Sequence, residues 1–400
     1  MLHRLLQIAG VFFKLGSISF GGPAAHLAII EDEVVGRREW LSRQRFLDLV
    51  GATHLIPGPN AVEMAAHVGF VRAGLPGTLV AGCAFTLPAT LIAIACAWGY
   101  QRYGTLPAVE APLSGIKAAV LAVIFAAVWR LGRKAIQNWV LAVVAIGVAV
   151  ASRLGSDEIA ALLIGSVAGM LLLQLTRSGK DPSNDQQSDP PIPANALIPG
   201  GTLAGSLGAA AAAGTSSIAT VPLGNLFLFF FKVGLVFFGG GYVLMAYIQG
   251  GLVEQYGFSE AQLWDALAIG SLTPGPMLAM VTFVGYLAGG GIAGALAATA
   301  GIIAPSFVFV VATNPLIPRL RNSRWASQFL DAVVAASLGL IVAVTFDFMA
   351  DTLLADPPNL LSVRPASVLI AGAAVGVNLR WKPAPAWLVL GGAVAGYVLL

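Results

Sequence analysis

Two helix-breaking motifs lie inside long apolar stretches of this chain, and each occurs twice. Phe20-Gly21-Gly22-Pro23 is followed by Pro57-Gly58-Pro59, and Phe238-Gly239-Gly240 is followed by Pro274-Gly275-Pro276. The later copies stand 217 or 218 residues after the earlier ones. Glycine lacks a Cβ and proline lacks an amide, so neither motif favours an unbroken helix. A chain that repeats such breaks in order folds as two related halves with interrupted helices. Other landmarks keep the same order: Lys14 with Lys232, Asp48 with Asp265, Gly69-Phe70 with Gly285-Tyr286, and Pro88 with Pro305.

Composition says which solvent surrounds those breaks. Only 10% of the residues are charged against 57% hydrophobic, with mean hydropathy +0.83, where a soluble domain carries about 25% charge. Residues 75–100 and 266–318 hold no charge, and roughly 20 apolar residues cross a bilayer. The expected fold is an all-α polytopic membrane protein in a lipid bilayer. It has two homologous repeats, 1–176 and 223–400, each with about five spans plus a re-entrant broken-helix hairpin at Pro-Gly-Pro. The joining segment 177–222 is polar and proline-rich at first and small-residue rich later, which reads as a linker. Whether 197–221 crosses the membrane stays open. No separate signal peptide is expected.

Placement of basic residues tests the orientation of the halves. Arg130, Arg133 and Lys134 follow an apolar segment of the first half and mark a cytoplasmic loop. In the second half Arg319, Arg321 and Arg324 precede the equivalent segment, whose far end carries Asp347, Asp351 and Asp356. The basic end has changed sides, as inverted-topology repeats require, and that plan is common in secondary transporters.

Broken helices offer chemistry at membrane depth. Helix starts present free amides and partial positive charge, which suits anions. Four limbs begin at such breaks: after Pro23, at Asn60, after Gly241 and at Met277. Lys14 and Lys232 each precede a Phe-Gly-Gly motif by six residues and are candidate counter-charges, with snorkelling to the interface as the alternative. The substrate-binding candidates are therefore Lys14, Phe20, Gly21, Gly22, Pro23, Pro57, Gly58, Pro59, Asn60, Lys232, Gly239, Gly240, Pro274, Gly275 and Pro276. His26, Glu63 and His67 are candidates for proton coupling, because histidine titrates near neutral pH. Glu63 and His67 share one helix face and could equally be a structural pair. The second half contains no histidine, and Met277 and Met280 stand where Asn60 and Glu63 stand.

Several function classes find no support. Gly289 to Gly294 matches GxGxxG but follows no strand and is read as helix packing. No Walker motif, metal-ligand cluster or catalytic triad occurs, so no enzyme activity, cofactor or metal is expected. Cys83 and Cys96 are read as packed core thiols. The net charge of +3 gives no reason to expect nucleic acid. A homodimer stays open.

The run from Lys14 through Phe20-Gly21-Gly22-Pro23 to His26, followed by Glu31, Trp40, Phe46 and Pro57-Gly58-Pro59-Asn60, resembles the chromate ion transporter (CHR) family. The run from Lys232 to Gly240 with Pro274-Gly275-Pro276 is similar to the second copy of its two-domain, long-chain members. The resemblance covers both halves. It implies a multi-pass protein of the bacterial cytoplasmic (inner) membrane that exports chromate and confers resistance, with sulfate as a structural analogue. The residues alone reach an inverted-repeat transporter with an anion-suited centre, possible substrates including any tetrahedral dianion. The other readings are a sulfate or other oxyanion transporter, a passive anion channel, and an intramembrane chromate reductase, for which no redox centre is visible.

Overall fold

The structure, a computed structural model, describes residues 1–19, 23–103, 107–177, 220–238, 241–253, 256, 258–314, 324–354, 362–381 and 383–399. The described residues are almost entirely helical, and their β-structure is one isolated bridge, Leu354 to Val363. The first half holds α1 (Leu2–Ile18), α2 (Pro23–Glu31) running into a π-helical turn (Asp32–Arg37), α3 (Arg43–Thr53), α4 (Asn60–Tyr103), α5 (Pro107–Ala135), α6 (Trp139–Arg153) and α7 (Glu158–Arg177). The second holds α8 (Leu223–Val236), α9 (Val243–Ile248) running into a π-helical turn (Gln249–Val253), α10 (Glu260–Leu272), α11 (Ala279–Ala288), α12 (Ile292–Thr313), α13 (Arg324–Leu353), α14 (Pro365–Trp381) and α15 (Pro385–Leu399).

Local chemistry sets several of these ends. Ser42 caps α3 by accepting the Arg45 amide at 3.2 Å, and Asn138 caps α6 by accepting the Leu141 amide at 3.0 Å, each satisfying an orphan donor of the first turn. Helix α4 is two arms, because Ala73 and Gly74 leave helical geometry, Gly74 with φ of 64°. The arms, 60–72 and 75–103, fold back so that Gly69 and Gly77 meet backbone to backbone. In the second half α11 and α12 repeat this hairpin, with Gly285 against Gly294. The GxGxxG string is the turn of that hairpin and the start of α12, not the interior of one helix as its apolar setting suggests.

The halves are interlocked. Within each half the first helix packs on a long hairpin arm: Gly16 of α1 meets the Phe85 carbonyl, and Gly234 of α8 meets the Ile302 carbonyl at the matching place. The next long helix of each half crosses over. Helix α5 packs on α14 and α15, with Gly115 between Gly392 and Gly396, while α13 packs on α6 and α7, with Gly339 against the Ala145 carbonyl. Small residues let helix backbones approach where lipid supplies no hydrophobic drive for association.

Among the described residues, five helices are long and apolar enough to cross a membrane: α4, α5, α7, α12 and α13. Five full spans in each half were expected. The difference is physical: α6, α8 and α15 have 15, 14 and 15 residues, and at about 1.5 Å per residue such helices fall short of a bilayer core. Nearly all of the joining segment, including 197–219, lies outside the described residues. Cys96 is half-buried and packs against the main core, whereas Cys83 is exposed and is not a core thiol; a small apolar side chain is at home against lipid as well as inside a core.

Candidate functional site

The two Pro-Gly-Pro loops each hook onto the other half. The Gly58 amide donates to the Phe237 carbonyl at 2.7 Å, and the Gly275 amide donates to the Ser19 carbonyl at 2.6 Å. Ser19 and Phe237 end α1 and α8 in nearly the same extended conformation, with ψ of 94° and 96°. Glycine is required at both donors, because φ is 142° at Gly58 and 94° at Gly275, where a Cβ is strained.

A helix starts directly behind each loop. The amides of Val62 and Glu63 return to the Pro59 carbonyl, and those of Ala279 and Met280 return to the carbonyls of Pro276 and Met277. The amides of Asn60 and Ala61, and at the matching positions those of Met277 and Leu278, have no partner among the described residues. These are the orphan donors of a helix start, carrying the positive end of the helix dipole.

Both starts face one cavity of about 410 Å³. All four limbs reach it: Ala24 and His26 of α2, residues 58–61, Gly241 and Tyr242 before α9, and residues 275–278. The end of α5 adds Arg130 and Lys134, and the start of α15 adds residues 384–386. The basic side chains of the lining are Arg130 and Lys134, with the buried His26 beside them, and no carboxylate is among the lining residues. Free amides and guanidinium or ammonium groups are the donors that a tetrahedral oxyanion accepts from.

His26 is buried, with its ring edge-on to Phe85 and its Nε2 without a hydrogen-bond partner. Glu63 and His67 lie behind the first loop, not in the cavity lining, and both are 0% exposed. Neither Glu63 oxygen has a hydrogen-bond partner of ordinary geometry, nor has the Ser306 hydroxyl of α12. Both Glu63 Oε1 and Ser306 Oγ press on Gly58, where any Cβ would collide with them. His67 pairs through Nδ1 with the Asn314 amide nitrogen at 3.1 Å, and Asn60 pairs with His54 at 3.0 Å.

The structure does not bring Lys14 or Lys232 to the cavity. Lys14 is 55% exposed and pairs with Glu33 at 3.7 Å; Lys232 is exposed. Glu33 itself is buried among Arg38 at 2.7 Å and Arg37 at 3.9 Å, and the Arg38 hydrogen bond foremost holds its carboxyl below the ordinary carboxylate range. Pro23 opens α2, and Pro57 and Pro274 lead into the two loops. Phe20, Gly21, Gly22, Gly239 and Gly240 lie outside the described residues.

A second polar cluster joins the halves. Asp265 of α10 is 2% exposed; it pairs with Lys117 of α5 at 3.0 Å and accepts from the Tyr100 hydroxyl of α4 at 2.7 Å. Sequence reasoning named neither Lys117, which pairs with Asp265, nor Arg130 and Lys134, which line the cavity, among its site candidates. Lys117 had a signal, as a lone charge inside an apolar segment. Arg130 and Lys134 read as markers of orientation because nothing in one dimension says that α5 ends beside the two loops.

The chromate transporter family model matches residues 6–170 and 224–397. The chromate transport protein of Pseudomonas aeruginosa is 32% identical over 354 residues, covering 85% of this chain and 80% of that one. The chromate transport protein of Cupriavidus metallidurans is 28% identical over 380 residues, covering 92% and 88%. A probable chromate transport protein of Synechococcus elongatus is 30% identical over 341 residues, covering 85% and 83%. No solved structure matches the chain. With both halves matched, and with several helices fit to cross a bilayer, this chain belongs to the chromate transporter family and is a multi-pass membrane protein.

Proposed function

We propose that the chain is a secondary active transporter that exports chromate across the bacterial cytoplasmic membrane and so confers chromate resistance, with protons as coupling ion. The observation that carries this reading is the cavity between the two loops: basic side chains and free helix-start amides from both halves, and no carboxylate in the lining. The relatives named as chromate transport proteins supply the substrate. Chromate is a tetrahedral dianion, and a site at the meeting of discontinuous helices is where inverted-repeat transporters bind their cargo. In this reading the anion sits against residues 58–61 and 275–278, Arg130 and Lys134 hold its charge, and the Phe-Gly-Gly segments and Pro23 close the ends of the broken helices. His26, Glu63 and His67 carry the proton. The reciprocal hydrogen bonds at Gly58 and Gly275 support two copies related by an inverting pseudo-symmetry.

The test is chromate uptake into energised everted membrane vesicles, with sulfate as competitor. Energy-dependent uptake that sulfate inhibits is expected. Uptake that ignores energisation would replace the carrier with a passive channel, and no uptake would remove chromate as the exported substrate.

A further inference from the structure

Glu63 occupies an unusual place for a carboxyl group. It lies in the first turn of α4, where the helix dipole is most positive and where a carboxylate is ordinarily stabilised. The same turn offers the free Asn60 and Ala61 amides to the cavity. The Gly58 backbone is the partition: it lines the cavity and is pressed from behind by Glu63 Oε1. An ionised Glu63 and a bound oxyanion therefore compete for one positive helix end across one residue of backbone.

Among the described residues no basic side chain pairs with that carboxyl. The covering helices bring no charged residue: α12 contributes Ser306, and α11 carries Tyr286 as its ionisable group. On the same arm His67 is held by Asn314. Helix α2 turns His26 inward, α3 and its cap bring Arg45, Asp48 and His54, and α1 brings Lys14, which is held at Glu33. From α10, Asp265 is held by Lys117 and Tyr100. No ion pair joins any of these to Glu63 among the described residues. An unpaired charge in such a place is costly, so the neutral acid is the form this packing accommodates.

We infer that Glu63 must carry its proton for the oxyanion to bind, so that proton and anion travel together and not in exchange. This rests on the reading of the cavity as an oxyanion-transport site. Linkage makes the effect reciprocal: the anion favours the protonated acid as much as the proton favours the anion. A dianion with one proton still moves net negative charge outward, so an inside-negative membrane potential drives export even though the proton moves against its own gradient. At the matching place in the second half stands Met280, so one of the two helix ends is gated by a proton and the other is not.

The experiment uses full-length protein in detergent and in everted vesicles. Chromate affinity is measured against pH for the wild type and Glu63→Gln; any proton that chromate itself carries is common to both and cancels in the difference. Wild-type affinity should fall, relative to the variant, by about tenfold per pH unit above a midpoint, and the variant should keep its tight binding. In energised vesicles, collapsing the pH gradient alone should raise chromate uptake by the wild type, and collapsing the membrane potential should abolish it. Parallel pH profiles for the two proteins, or uptake that falls when the pH gradient alone is removed, would overturn the inference while leaving oxyanion transport intact. Absence of chromate binding by the wild type would instead overturn the transport reading and this inference with it. Should Glu63→Gln fail to fold, Ser306→Ala reads the same site: losing the hydroxyl nearest the carboxylate should move the wild-type midpoint to higher pH, and an unmoved midpoint counts against Glu63 as the gate.

Discussion

The two Pro-Gly-Pro loops have the same backbone and different surroundings. Each donates one glycine amide to the end of the other half's first helix, and each leaves two amides free at the start of the next helix. Behind the first loop lie the Glu63 carboxyl, Ser306 and the His67–Asn314 pair. In the second half Met280 stands where Glu63 stands, Ala89 lies against Gly275, and the hairpin holds a Thr282–Thr299 hydrogen bond but, among the described residues, no ionisable pair. The two halves share the geometry that places a helix start at the cavity, and the ionisable groups lie behind only one of them. The architecture lesson is that backbone donors can be shared symmetrically while control of them is held on one side.

The sharpest way to break this comparison is to add one methyl group to each loop. Both glycines have positive φ, so alanine costs about 1–2 kcal/mol of backbone strain at either position. At Gly58 the new Cβ also strikes Glu63 and Ser306, whereas at Gly275 it meets Ala89 Cβ and the Gly16 carbonyl at 3.2 Å. Overpacking adds about 1–3 kcal/mol at the tighter site. Gly58→Ala should abolish chromate uptake and lower the melting temperature clearly more than Gly275→Ala, which should retain part of its transport. Equal losses would mean that Glu63 and Ser306 yield easily and that the first loop is not the more constrained one.

A second contrast concerns the aligned aspartates. Asp265 is buried and paired with Lys117, while Asp48 is half-exposed beside Gln44. Removing one member of a buried pair costs about 3–5 kcal/mol, because the partner is left as an uncompensated charge. Asp265→Asn should therefore destabilise the detergent-solubilised protein severely, as a thermal melt of the variant beside the wild type checks. Replacing both Asp265 and Lys117 by apolar residues should recover most of the loss. Failure of that double change to recover would assign the pair a role beyond mutual neutralisation.

Third comes the charge at the end of the crossing helices. Arg130 and Lys134 on α5 stand at the positions where α13 has Asp347 and Asp351. The basic pair lines the cavity, and Asp347 is engaged by Arg153 away from it. A hydrogen bond to a charged group is worth about 1.5–3 kcal/mol, so Arg130→Ala or Lys134→Ala should weaken chromate binding by at least tenfold with the fold intact. Asp347→Ala loses an exposed ion pair worth about 0–1 kcal/mol and should leave affinity unchanged. An Arg130→Ala protein with wild-type affinity would move the anion site away from α5.

How far the sequence carries such contrasts depends on whether they are local. The duplicated glycine and proline motifs, the apolar segments and the missing histidines of the second half can all be read in one dimension, since each is a matter of residue type at a fixed offset. The break at Ala73-Gly74 falls between the limb ending at Arg72 and the apolar segment starting at residue 75, but the fold-back of one arm on the other could not be read, since a lone glycine in a helical pattern is a weak stop signal. The crossing of α5 onto α14 and α15 was also invisible, because it depends on Gly115, Gly392 and Gly396 meeting across the halves. That crossing is what brings Arg130 and Lys134 to the cavity, and it explains why the lysines beside the Phe-Gly-Gly motifs looked like the better counter-charges. Lys14 and Lys232 are close in sequence to the breaks but turn outward.

The smallest expected effects are at those two lysines. Lys14 is more than half exposed, and its 3.7 Å pairing with Glu33 competes with the closer Arg38. Glu33 sits below the ordinary carboxylate range mainly through the Arg38 hydrogen bond. A carboxyl lowered in the folded state contributes stability above its unfolded value and loses it as pH falls through the lowered one. The cluster therefore loosens in acid and not in alkali, and Arg38→Ala should blunt that acid sensitivity more than Lys14→Ala does. Lys14→Ala and Lys232→Ala should each change chromate affinity less than twofold, the former with a slight loss of melting temperature on the scale of about 0–1 kcal/mol for an exposed pair. Chromate affinity measured for both variants beside Arg130→Ala checks this directly. A tenfold loss at either lysine would show that these side chains reach the anion in a conformation where the broken helices have moved, and would return the counter-charge to the two copies equally.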